Sequence, residues 1–200
     1  LNSQQVLEAR NLAVLTDLSK ALDDVSARIE VPRNHYTSVS PANVRLELDL
    51  SKIRQPGKQT LQLSGRVEGL TGRVLQIVPS TVEVEVEARD SRPATVMLVW
   101  DGDEVPGFWH NEKRRSPQTI TVSGPASLIR QVSFARVLVN RSEYTQTYFQ
   151  HIEEFELLDK EGDVLDSSSL TCSATSVTVE LEVLKTKTLI INTPVESSVT

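Results

Sequence analysis

Polar and apolar residues alternate along much of this chain. In "VRLELDLS" (44–51), Val44, Leu46, Leu48 and Leu50 fall on one face and Arg45, Glu47 and Asp49 on the other. "TVEVEVEA" (81–88) sets Val82, Val84 and Val86 against Glu83, Glu85 and Glu87, and "QTITVSG" (118–124) and "SVTVELEV" (176–183) repeat the pattern. Successive side chains of a strand point to opposite faces, so a period of two with one wet face predicts half-solvated, antiparallel strands. Turn-forming clusters at 55–58, 69–72, 101–103 and 159–163 separate these runs. Helical spacing is poor: "LTDLSKALDDV" (15–25) is one candidate and "PASLIRQV" (125–132) a short second one.

The pattern occurs twice. Shifted by 91 positions, "VLEARN" falls on "MLVWDG", "SARIEVPRN" on "PQTITVSGP" and "VRLELDLS" on "ARVLVNRS". The identities are Leu7/Leu98, Val14/Val105, Ile29/Ile120, Val31/Val122, Arg45/Arg136 and Ser51/Ser142. Farther on, "GRVLQ" (72–76) meets "GDVLD" (162–166), and "VEVEVE" (82–87) meets "VTVELE" (177–182). Two similar, mainly all-β domains in tandem, 1–95 and 96–200, explain this, each small, antiparallel and with at most short helices. The competing explanation is that any two strand-rich segments share valines.

Composition narrows the picture. Aromatics are 4% of the residues, so the cores are aliphatic, and valine suits strands because its branched Cβ fits a pleated surface. A net charge of −6 argues against a broad phosphate-binding face and hence against nucleic acid. The lone cysteine, Cys172, cannot form an intramolecular disulfide. No apolar run approaches the ~20 residues of a membrane helix.

Candidate chemistry is sparse. Ser123-Gly124-Pro125 follows a strand but lacks the lysine of a P-loop and the outer glycines of a nucleophile elbow. Its first-copy counterpart is Pro32-Arg33-Asn34, so it reads as a turn in which Ser123 or Gly124 caps a short helix. His35, His110 and His151 stand apart and read as surface residues. "DGDE" (101–104) and "DKEGD" (159–163) lack a calcium-loop pattern and read as turns, and Cys172 reads as a small buried hydrophobe. No catalytic residue, cofactor or metal is expected. "EKRRS" (112–116) is the one basic cluster, and "VPGFWHN" (105–111) places two aromatics beside it in what reads as a loop. Phe108, Trp109, Lys113, Arg114 and Arg115 are therefore the candidate partner contacts. The aromatics equally suit a plug at the junction of the two domains, which is the favoured reading.

"VPGFWHNEKRRSPQTITVSGPASLIRQVSFARVLVNRS" resembles the signature of the YbbR-like domain family: a G-aromatic loop, then a strand running into "SGP", then a strand ending near "VDLS". "VRLELDLS" is similar to the last element in the first copy. "LEARNL" (7–12) resembles the opening strand, and "IVPSTVEVEVE" (77–87) the closing one. The first copy departs with "PRN" for "SGP", and the second with "VNRS" for "VDLS" and "SATSV" for the Pro-Ser before the last strand. The resemblance implies tandem β domains with crossed hairpins, no catalytic residues, and a position behind an N-terminal membrane helix on the outer face of a bacterial membrane. It also implies a protein partner, a membrane-bound diadenylate cyclase that makes cyclic di-AMP. On that reading residues 1–4 follow directly after the membrane span. A cell-wall or small-ligand module and an RNA-binding β domain are the rival readings.

Overall fold

The computed structural model describes residues 3–146 and 151–190. The chain begins with α1 (Ser3–Ala9), β1 (Leu12–Val14), α2 (Leu18–Ala21), β2 (Ser26–Glu30), β3 (Val44–Leu48), β4 (Gly57–Val67) and β5 (Arg73–Val78). Then comes β6 (Thr81–Asp101), a strand of 21 residues. The rest comprises β7 (Phe108–Ser116), β8 (Thr119–Pro125), α3 (Ala126–Ile129), β9 (Phe134–Asn140), β10 (His151–Glu153), β11 (Glu156–Leu158), β12 (Thr171–Cys172) and β13 (Val177–Lys185). The expected fold class, mainly β with short helices, is the one found.

β6 belongs to both halves. Its first part pairs with β4 (Val86 opposite Gly57) and with β1 (Val86 opposite Val14). Its middle pairs with β8, from Arg89 opposite Pro125 to Thr95 opposite Thr119. Its last part runs beside β9, Thr95 opposite Phe134 and Asp101 opposite Asn140, and this pairing is parallel, where the alternation predicts antiparallel strands. The difference arises because β7 and β8 intervene and return the chain to β6 in its own direction.

Two cores form along β6. Leu7, Leu12, Leu50, Ile53, Leu61, Val82, Val84 and Val86 make the first. The second gathers Ala94, Val96, Ile120, Val122, Ala135, Val137 and Val139 against Val177, Val179, Leu181 and Val183 of β13. Between them Asp90 to Pro93 is exposed, so the strand narrows to a waist that contains no loop. The sequence boundary at 95/96 lies inside this strand.

The strand pairing repeats as well as the sequence. β2–β5, β3–β4 and β4–β6 in the first half recur as β8–β12, β9–β11 and β10–β13 in the second. The offset of 91 holds from β2 to β3: Val44 lies opposite Val67 as Ala135 lies opposite Leu157. Before β2 it fails. "VLEARN" matches the strand "MLVWDG" in sequence but is largely α1, because Leu7 is buried in the first core and Arg10 is anchored. Its Nη1 donates to the carbonyls of Ser51 at 2.7 Å and Ile53 at 2.5 Å. Hence "LEARNL" contributes only the start of β1. The structural counterpart of β7 is β1, which lines the closing strand as β7 does: Leu12 sits opposite Ala88, and His110 opposite Val183.

α2 occupies the extra residues between β1 and β2 and is far shorter than the 15–25 span of its sequence pattern. Asp17 caps it, accepting from the Ser19 amide at 3.0 Å and hydroxyl at 2.5 Å. Lys20 joins Asp17 at 3.1 Å and reaches Asp166 of the second half at 3.5 Å. The Ser123-Gly124 turn is also corrected. Both residues continue β8, opposite Ser91 and Asp90, and the cap position of α3 is Pro125. Gly124 is required by close approach, since a Cβ there would lie 2.7 Å from Leu170 Cδ2 and 3.0 Å from Ser169 O. The α3 entrance is satisfied from the other half, where Glu87 Oε2 accepts from the Ser127 amide at 2.8 Å.

Two outcomes follow from this packing. Ile120→Ala, which empties a fully buried site, lowers the free energy of unfolding by roughly 2–5 kcal/mol in urea titrations, whereas exposed Leu75→Ala changes it by less than about 0.5 kcal/mol. The Ser19 hydroxyl, and after it the Lys20 ammonium, hold the Asp17 carboxyl at about 2, below its ordinary 3.8. The unfolded chain therefore binds the extra proton between those values, and the stabilisation is present above pH ~4 and lost as pH falls towards 2. The difference in urea midpoint between the protein and Asp17→Asn should be constant from pH 7 to 5 and close towards zero as pH falls through that window.

Candidate interaction surfaces

The five residues singled out by sequence all lie on β7, so that Phe108 and Trp109 stand in a strand where a loop was read. β7 is the edge of a three-stranded sheet ordered β10-β13-β7. Phe108 packs against the second core, so it fills no junction between the halves, and Trp109 beside it is exposed. The pairing with β13 slips at Glu180/Leu181: Glu180 faces Arg114 and Leu181 faces Glu112, leaving Lys113 as the inserted residue. Such a bulge re-aims side chains, and here Lys113 and Arg114 are both exposed although they are adjacent. Lys113 Nζ lies 3.0 Å from Glu182, and Arg115 is bound to Glu112 at 2.6 Å. Arg114 carries no ion pair among the described residues. The structure thus gathers Trp109, Lys113 and Arg114 on an exposed edge and uses Phe108 and Arg115 internally.

Sequence reasoning missed a second surface. On the outer face of the β6–β9 pair, Met97 (41% exposed), Val99 (37%), Phe134 (38%) and Leu138 (42%) lie together, with Val99 directly opposite Leu138. Their neighbours in sequence, Val96, Val137 and Val139, point into the core. The 91-residue repeat offers the signal that could have found them. The first-copy counterparts of Phe134, Arg136 and Leu138 are Asn43, Arg45 and Glu47, so the apolar residues flanking the arginine, which lies opposite Met97 and pairs with Glu156, occur in one copy only. Contiguous exposed apolar side chains, unlike scattered single ones, mark contact surfaces.

A cleft of about 290 Å³ lies between the halves, lined by Leu12, Val14, Asp17, Arg89, Gly124 and Leu170 among others. Glu8 approaches Arg89 Nη2 at 3.9 Å, and Ser169 Oγ donates to Leu15 O at 3.3 Å across the same seam. Its polar groups serve the joint.

Among the described residues His35, His110 and Cys172 lie in separate elements. His35 sits in a 3-10 turn, and the His151 side chain lies outside the described residues. His110 donates through Nε2 to Tyr144 O at 2.8 Å and lies against Trp100 with ring centroids 5.5 Å apart, a role in packing. Cys172 is half-buried against the second core, and that burial pushes its thiol up. Among the described residues no three His, Cys, Asp or Glu side chains gather as metal ligands, and no helix is long and apolar enough to cross a membrane.

No family model and no curated protein matches the chain. Among solved structures, a YbbR-like protein from Streptococcus pneumoniae aligns over 89% of this chain and 88% of its own, with a TM-score of 0.58 and 11% identity. A protein from Streptococcus thermophilus solved in solution aligns over 52% of this chain and 93% of its own, at 19% identity and a TM-score of 0.34. The first likeness spans both halves at an identity that speaks for fold alone: the chain folds as a YbbR-like protein does.

Proposed function

We propose that this chain is a non-catalytic interaction module whose second half presents the main contact surface to a protein partner. The observation that carries the reading is the apolar outer face formed by Met97, Val99, Phe134 and Leu138. Burying four such side chains against a partner supplies several kcal/mol towards association. The β7 edge, with Trp109 and Arg114 exposed, adds an aromatic anchor and a cation of the kind that dominate contact energetics. The first surface lies on the sheet that contains β6 and the second on the β10-β13-β7 sheet, which packs on the same core, and this suits a rigid platform for contact.

The partner proposed is a membrane-bound diadenylate cyclase, met on the outer face of a bacterial membrane. The YbbR-like fold and the "SGP" and "LDLS" stretches support this reading. In it the chain alters the cyclase by touching it and binds no cyclic dinucleotide.

The test uses the purified chain and a cyclase reconstituted in vesicles. Adding the chain should change the rate of cyclic di-AMP formation and the two should co-elute. The double substitution Val99→Asp with Leu138→Asp should weaken both effects at least about 100-fold, tenfold or more for each buried apolar group lost. The circular dichroism spectrum and urea midpoint should stay close to those of the parent. A cyclase rate indifferent to saturating chain would contradict the proposal.

A further inference from the structure

The cleft between the halves holds two opposite charges that do not reach each other. Glu8, on α1, and Arg89, on β6 just before the waist, both line it. Their side chains are 37% and 27% exposed, and Glu8 Oε1 stays 3.9 Å from Arg89 Nη2. At that length they attract but share no hydrogen bond, and neither side chain has another partner among the described residues. Elsewhere the chain closes such pairs: Arg136 meets Glu156, and Arg115 meets Glu112, at 2.6 Å each. The other carboxylate of the cleft, Asp17, is already engaged by the Ser19 amide and by Lys20. The cleft thus keeps one anion and one cation side by side, with hydrogen-bonding capacity to spare.

The same cleft is apolar beside these charges. Leu7, Leu12, Val14 and Leu18 of the first half line it, together with Leu170 of the second. Of its hydroxyls, Thr16 Oγ1 accepts from the Glu85 amide at 2.8 Å and Ser169 Oγ donates to Leu15 O. Its volume, about 290 Å³, lies at the lower end of the range for ligand cavities.

We infer that this cleft binds a small zwitterion with an aliphatic body, an α-amino acid of the leucine type. The ligand carboxylate lies on the Arg89 guanidinium, whose planar fork suits it, and the ligand ammonium lies on the Glu8 carboxylate. The aliphatic side chain lies among Leu12, Val14 and Leu170. A simple anion would gain Arg89 but meet the like charge of Glu8, and a simple cation would meet the reverse. A ligand carrying both charges on neighbouring atoms answers both. Giving up the present pair costs little, because half-exposed ion pairs of this length contribute little. The bound molecule also serves the joint, since it replaces one long contact by two short ones and touches α1, β6 and the 168–171 segment together. This site shares no residue with the contact surfaces above, and its failure would leave that reading standing.

Titration of the isotope-labelled 200-residue chain with L-leucine, followed by backbone amide NMR, tests this. Shifts should saturate with a Kd of about 1 mM or tighter and centre on residues 7–19, 89 and 168–171. Isocaproate, which lacks the ammonium, and isoamylamine, which lacks the carboxylate, should each bind at least about tenfold more weakly. Glu8→Gln should weaken leucine by a similar factor without weakening isocaproate, and Arg89→Gln should weaken leucine without weakening isoamylamine. Both variants should keep the circular dichroism spectrum and urea midpoint of the parent. If Arg89→Gln fails to fold, the three ligands on the parent chain still decide. Absence of saturable shifts with leucine, shifts centred elsewhere, or equal affinity for leucine and its two analogues would each overturn the inference.

Discussion

Everything in this molecule is referred to the hydrogen bonding of one strand. β6 gives its first residues to the sheet of one domain and its last to the sheet of the next, and the bonds continue through the waist. Arg89 N donates to Asn11 O at 2.8 Å, and Val96 N donates to Gln118 O at 2.9 Å. A linker would leave two domains free to reorient, whereas a shared strand fixes their relation at the cost of deforming a ladder. Pro93 shows how the exposed stretch is kept from pairing further. Amides face alternate edges of a strand, so with Val96 donating to β8, the nitrogen of Pro93 faces the opposite edge, where β1 has ended and β9 begins only at Thr95.

With the frame fixed, the two copies diverge on their surfaces while keeping their pairings. Positions facing inward stay aliphatic in both: Ile29 and Ile120, Leu46 and Val137, Leu48 and Val139. Positions facing outward do not, so that Asn43 and Glu47 in one copy become exposed Phe134 and Leu138 in the other. A duplicated scaffold thus presents one polar face and one apolar face. The seam between the copies is polar and specific, held by Lys20 with Asp166, Ser169 with Leu15, and the Glu87 carboxylate at the first turn of α3.

The strands were legible because a half-solvated sheet writes its period into the sequence: Val82, Val84 and Val86 alternate with glutamates and are found buried in that order. What failed did so for tertiary reasons. "VLEARN" has the composition of its strand counterpart, yet Leu7 and Arg10 find partners on the Leu50–Lys52 turn and its flank, and this makes a helix the better solution. Ser123-Gly124 looks like a turn until the segment at Ser169–Leu170 is seen to press on Gly124, which needs a bare backbone inside a strand. Phe108 and Trp109 looked like a loop because Gly107 precedes them, but the following polar run pairs with β13. Trp109 and Arg114 were named from sequence as candidate contacts, but the favoured reading of the aromatics was a plug between the domains, and their place on a bulged edge strand was not legible. Nor was the Met97–Leu138 face, since it joins residues forty positions apart through a parallel pairing that alternation does not reveal.

The continuity of β6 is most directly measured by native-state amide hydrogen exchange, residue by residue from Thr81 to Asp101. A single strand predicts that the hydrogen-bonded amides of Arg89 and Val96 exchange as slowly as those around Val84, and through the same cooperative opening. Unprotected exchange from Arg89 to Val96, between two protected ends, would mean a hinge where the account requires a strand, and would contradict it.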